Sequence, residues 1–189
     1  MKSIQFTHAD KLTLQDLMFH HIHDILLVAS PYDSFVLEED GRLTEQISHE
    51  YMGMNFSNAP RVWQASTAAD ALTMLSRQDF DLIIVMMRIA DMDPVLFCAK
   101  IKETYPKKPV ILLAFDESEV KQLPEDFENS AIDRVFIWSG NANVLLAIVK
   151  MLEDAMNIRR DIKKADVRCI IVIEDSPRYY SLILPMLYK

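Results

Sequence analysis

The sequence is short of the residues that build phosphate loops, disulfide frameworks and membrane spans. Three glycines serve 189 residues. None follows the first apolar run, where a nucleotide-binding turn needs glycine so that backbone N–H groups can approach a phosphate. Two cysteines, Cys98 and Cys169, cannot make a disulfide scaffold. Each lies in or beside an apolar segment, which reads as two buried reduced thiols, with one lone disulfide as the alternative. No apolar run approaches the roughly 20 residues of a spanning helix, and Met1-Lys2-Ser3-Ile4-Gln5 leads into no hydrophobic signal core. Lys and Arg number 20 against 28 Asp and Glu, a net charge of −8. That balance argues against general binding to nucleic acid or to anionic membranes. The expectation is a cytoplasmic protein.

What is present is an ordinary globular composition, 50% apolar and 25% charged, long enough for one good-sized domain and a fragment of another. Phe80-Asp81-Leu82-Ile83-Ile84-Val85-Met86-Met87-Arg88 reads as a central strand buried on both faces. In parallel α/β sheets the chemistry sits just beyond the carboxyl end of such strands, yet methionines stand there. Similar apolar runs occur at 25–29, 110–115 and 132–138, and Arg61–Ala65 alternates like a half-exposed strand. Amphipathic or capped helical stretches separate them: 35–51, one from Ser66 or Thr67, one from Pro94 with Leu96, Phe97 and Ile101 toward the sheet, an irregular one in 116–129, and a long one at 144–156. Strands alternating with helices imply a doubly wound parallel sheet with right-handed crossovers. Thr13 opens a short helix ahead of the first strand. His20, His21 and His23 read as the entry to that strand, with a metal site as the sharper alternative. The stripe of the long helix is wide enough to meet either a partner or a generously covered sheet edge.

The order and punctuation of these elements resemble the response-regulator receiver domains of two-component signalling over residues 24–157. Phe80–Met86 is similar to that family's Pro-Asp-Leu-hydrophobic-Asp strand, Ala90-Asp91-Met92-Asp93-Pro94 to its Pro-Gly-Met-Asp-Gly loop, and Lys108–Ala114 to its Pro-Val-hydrophobic-Thr strand. The resemblance implies a flavodoxin-like five-stranded sheet of order 2-1-3-4-5. It also implies a site of two acidic residues after strand one, a phosphoacceptor aspartate after strand three, a hydroxyl after strand four and a lysine after strand five. Magnesium takes oxygen ligands from such a set, and the aspartate is the nucleophile. Carried onto this chain, the acidic pair falls on Ala29 and Ser30, the phosphoacceptor on Met86, the hydroxyl on Ala114 and the lysine on Trp138. None can do the family's chemistry. The expectation is a degenerate receiver, not an enzyme, with no cofactor in this fragment and an apolar plug of Met86 and Trp138. Asp33, Asp91, Asp93 and Asp116 are the carboxylates that could rebuild a metal site.

Residues 158–166 read as a charged linker between this domain and 167–189. Cys169-Ile170-Ile171-Val172-Ile173-Glu174-Asp175 resembles the first strand of an intact receiver, so the tail is expected to open a truncated second receiver, its strand adding to a sheet edge. Glu174 and Asp175 would then be magnesium ligands once that domain is complete. A tandem of this kind also resembles the front of multidomain proteins with a phosphoenolpyruvate-synthase-like region. The expected partners are other protein domains of the same polypeptide, or a second copy through residues 116–157, in a phosphorelay-type system. Two readings compete. Ser48-His49-Glu50 matches a histidine-kinase box in three residues only. A nucleotide- or small-ligand-binding α/β domain of a larger enzyme suits the fold, but lacks the glycine turn.

Overall fold

A computed structural model of the chain describes residues 19–41, 45, 47–49, 59–124, 131–138, 140, 142–165 and 168–188. Five parallel strands form one sheet: β1 (Asp24–Val28), β2 (Arg61–Ala65), β3 (Leu82–Met86), β4 (Val110–Ala114) and β5 (Arg134–Ile137), in the order β2-β1-β3-β4-β5. This is the expected 2-1-3-4-5 arrangement. The three central strands are three of the continuous apolar runs, and every residue of β3 and β4 is buried. Edge strand β2 has only Ala65 buried, which is why its residues alternate in the sequence.

Period-two alternation sends successive side chains to opposite faces. Ile25, Leu27, Leu82, Ile84, Met86, Ile111, Leu113 and Phe136 share one face. Leu37 of α1 (Pro31–Gly41) and Val144, Ala147 and Ile148 of α5 (Asn143–Ala165) cover it. Leu26, Val28, Ile83, Val85, Val110 and Leu112 share the other. There the cover is Ala68, Ala71 and Leu75 of α2 (Ala68–Arg77) and Phe97, Cys98 and Ile101 of α3 (Pro94–Thr104). Thr67, not Ser66, caps α2, its side chain accepting from Asp70 N–H at 3.0 Å. Leu96 is 66% exposed and faces away from the sheet. One turn, α4 (Glu117–Val120), is the described helix of the 116–129 segment; residues 125–130 lie outside the described ones, as do 11–18 with the helix expected after Thr13.

The tail departs from expectation. Residues 158–165 continue α5 instead of forming a linker. Arg159, Arg160, Lys163 and Lys164 are good helix formers, no Gly or Pro interrupts them, and Lys163 and Lys164 suit the negative end of the helix dipole. Residues 168–176 form no strand, so the expected sixth strand is absent and its apolar side chains face solvent, with Cys169 exposed rather than buried. The physical reason is visible at β5. The final helix α6 (Pro177–Leu187) already occupies that edge. Ser181 Oγ accepts from Ile137 N–H at 2.9 Å, and Tyr180 OH donates to the Val135 carbonyl. The Tyr180 ring also meets Phe136 edge-on at 5.1 Å. Covering an edge with a helix removes the template on which another strand would pair. The same helix explains the wide stripe of α5: Val144–Val149 are all buried, between the sheet and α6.

Ser181→Ala is expected to leave Ile137 N–H without its acceptor and to cost about 1–3 kcal/mol of stability. Urea denaturation checks this; an unchanged midpoint would mean that α6 is not the guard of this edge.

Candidate functional site

Buried apolar residues stand at the carboxyl ends of the central strands and just past β5. Ala29, Met86 and Trp138, 0%, 0% and 5% exposed, fall in one cluster, and Ala114 is buried where β4 ends. Trp138 N–H donates to the Ala114 carbonyl at 2.7 Å, continuing the β4–β5 ladder to the rim. Ser30 is turned to the helix that follows it. Its Oγ accepts from Asp33 N–H at 3.1 Å and its carbonyl from Ser34 N–H at 2.9 Å, so it works as the N-cap of α1.

Above this layer sits a cation that the sequence reading did not single out for a role. Arg88, two residues past Met86, receives Ser30 N–H on its carbonyl at 3.0 Å. Its Nη2 lies 2.9 Å from Asp33 Oδ1, and its Nε 3.4 Å from Asp33 Oδ2. Asp33 is completely buried while Arg88 is 54% exposed. The Oδ1 contact is close enough for charge pairing but lacks hydrogen-bond alignment. Glu119 Oε1 stands 4.0 Å from the same guanidinium, its other oxygen accepting from Phe115 N–H at 2.7 Å. Tyr32 and Phe115 turn their rings to Arg88 at 5.9 and 5.3 Å, within the range of cation–π attraction. A guanidinium thus gathers the carboxylates of α1 and α4.

The other candidate carboxylates are engaged by helix N-termini. Asp91 accepts from Ala68 N–H and Ala69 N–H at 2.7 and 3.1 Å, and these bonds, Ala68 foremost, hold its carboxyl below the ordinary 3.8. Asp93 caps α3 through Val95 N–H and Leu96 N–H. Asp116 caps α4; the Ser118 hydroxyl first, then the N–H groups of Glu119 and Ser118, hold its carboxyl low. Glu174 and Asp175 lie beside Ile132–Val135, where β5 begins, at the opposite end of the sheet. No group of three or more His, Cys, Asp or Glu converges among the described residues. This donor set does not fit magnesium, which needs several convergent oxygens.

The segment that holds the histidines is tied to α5. The backbone N–H and carbonyl of His20 exchange two hydrogen bonds with the Asn157 side chain, His21 Nδ1 is 3.4 Å from Glu153 Oε1, and Ile22 N–H donates to that same oxygen at 3.0 Å. Lys150, Glu153 and Asn157 form a buried polar row on α5 that ties down the approach to β1. Their helical spacing within an apolar stripe was the available signal.

No protein-family model matches the sequence, and no curated protein matches it. Solved structures do. The signal receiver domain of an HD-domain-containing protein from Pseudomonas fluorescens Pf-5 is 25% identical, with a TM-score of 0.52 over 75% of this chain and 94% of that one. Response regulator TrrA from Thermotoga maritima, solved with Mg2+ and BeF, is 19% identical, with a TM-score of 0.53 over 69% of this chain and 99% of that one. The receiver domain of a signal transduction histidine kinase from Syntrophus aciditrophicus is 21% identical, with a TM-score of 0.51 over 80% and 99%. The chain has the receiver fold. Among its described residues, no helix is long and apolar enough to cross a membrane. Ala29, Met86 and Trp138 belong to one apolar cluster, and Arg88 pairs with Asp33.

Arg88→Met is expected to strand the buried Asp33 carboxylate. Water reaching this half-exposed site softens the loss to about 1–3 kcal/mol. Adding Asp33→Asn should recover much of it, as a double-mutant cycle by chemical denaturation would show. A second expectation concerns acid. A carboxyl held below 3.8 contributes stability that is complete above that pH and is lost as the pH falls through its folded-state value. Asp91→Asn should therefore flatten the acid limb of the stability–pH curve below pH 3.8, leaving the neutral region parallel to wild type.

Proposed function

We propose that residues 24–157 are a degenerate receiver domain, a signalling and protein-interaction module of a phosphorelay-type system that lacks a phosphoacceptor and is not itself an enzyme. The observation that carries this reading is Met86, which ends β3 fully buried in an apolar cluster with Ala29 and Trp138. A thioether cannot take a phosphoryl group, and no nucleophile stands in its place. The Arg88–Asp33 pair supports the same reading: a permanent positive charge steadies the α1 carboxylate without magnesium. Partner recognition then runs through surfaces set by folding rather than by phosphorylation. The partners are other protein domains, met on the α4 side and on the outer side of α6, since α6 lies over the edge of β5. The same reading takes 167–189 as the opening of a second receiver in a longer polypeptide, supported by the Glu174–Asp175 pair that follows its apolar run.

Incubation of the protein with acetyl phosphate and magnesium, followed by intact mass, should yield no stable phosphoryl adduct. Met86→Asp should yield none either, because Ser30, Ala114 and Trp138 remain as they are. A stable adduct on the wild-type domain, or efficient phosphorylation of the folded variant, would overturn the proposal.

A further inference from the structure

Among the described residues, a cavity of about 550 Å3 lies at the amino end of the sheet. Met156 of α5 and Tyr105, Pro106 and Pro109 of the loop between α3 and β4 give it apolar walls, and His20 and His21 form the side nearest β1. Two charged groups at its rim already have partners. Asp81 accepts from His23 N–H and Asp24 N–H at 2.8 and 3.0 Å. Lys108 Nζ donates to Asp79 Oδ1 and to the Phe80 carbonyl, both at 2.5 Å. The unmet demand of the cavity is therefore mainly apolar, and Met156 shows it, being 43% exposed.

The path of the chain brings one segment to the mouth of this cavity. Ile22, His20 and Phe19 meet Glu153, Asn157 and Arg160 in turn, so the approach to β1 runs antiparallel to α5. Phe19 is 65% exposed, with its ring 4.4 Å from the Arg160 guanidinium. Arg160 lies one turn beyond Met156 on α5, and its Nη1 is buried without an acceptor. A buried guanidinium N–H calls for an oxygen. A polypeptide offers one at every residue, whereas an apolar ligand offers none. In the sequence, Leu14, Leu17 and Met18 recur at the spacing of one helix face and stop just before Phe19.

We propose that residues 13–18, which lie outside the described ones, dock in this cavity, with Leu17 and Met18 against Met156 and Tyr105 and a backbone carbonyl of the segment on Arg160 Nη1. Only Phe19 separates the segment from the cavity wall, because His20 is part of that wall. So short a tether gives an effective concentration on the order of millimolar or above, which no separate partner has. The docked segment closes the amino end of the domain and braces α5 where it leaves the sheet. The proposal uses no residue of the receiver-like site and none of 167–189, so it stands or falls apart from the proposed function.

Hydrogen exchange of the whole chain, read by mass spectrometry, tests the proposal. The amides of residues 14–18 are expected to exchange at least about tenfold slower than in an unfolded chain. Leu17→Asp and Met156→Asp should each abolish that protection while β3 and β4 keep theirs, which separates undocking from unfolding. In a Cys169→Ser background, Leu17→Cys with Met156→Cys should cross-link with diamide much faster than Leu17→Cys with Lys121→Cys, the latter at the end of α4. Cys98 stays out of this reaction, since burial pushes its thiol up to about 12. Unprotected amides at 14–18 would overturn the proposal and leave the cavity to a separate partner. Protection that survives both aspartates, or equal cross-linking of the two pairs, would overturn it as well, by placing the segment elsewhere.

Discussion

The burial of β3 on both faces is the constraint on which the rest of the molecule depends. Every side chain from Leu82 to Met86 is enclosed, each worth roughly 1.5–3 kcal/mol relative to exposure. Four strands and the helices on both sides take their positions from that enclosure. A charge at the end of such a strand must be matched by cations and hydrogen bonds, or it destabilises the sheet at its centre. With methionine at that end the requirement disappears, and the neighbours can change with it. Ala29 and Trp138 fill space in the same cluster. Ser30 is released to cap α1, where its hydroxyl satisfies a backbone N–H.

What persists of the polar rim is organised around Arg88. The loop after β3 has to cross from the sheet to α3, and a guanidinium there can reach α1 and α4 at once. Asp33 is completely buried, so its charge would be costly without that partner. Arg88 is permanently protonated and delivers its charge in a planar fork.

The central strands were readable because burial on two faces leaves a continuous apolar run, and a Pro or Asp ahead of a helix leaves a cap signature, as at Asp93-Pro94. Met86 was readable for a related reason: the run has a fixed length, and position determines what stands at its end. Arg88 was not. An arginine in a loop looks solvated, and only the approach of α1 brings Asp33 to 2.9 Å from it. The roles of Glu153 and Asn157 were hidden in the same way, by partners more than a hundred residues distant in the chain, although their spacing with Lys150 inside an apolar stripe was visible.

The tail shows where composition misleads. Ile170–Ile173 has strong strand character, and α6 after it has an apolar face, yet both cannot occupy the same sheet edge. The helix takes it because it supplies what a strand cannot: an aromatic ring against Phe136, a hydroxyl for the Val135 carbonyl and an acceptor for Ile137 N–H, all from two adjacent residues. A strand would bring more backbone bonds, but it would leave its own outer edge open and shift the same problem one strand further out. Closing the sheet with side chains ends it. The cost is that the strand-forming segment is left at the surface with its pairing capacity intact.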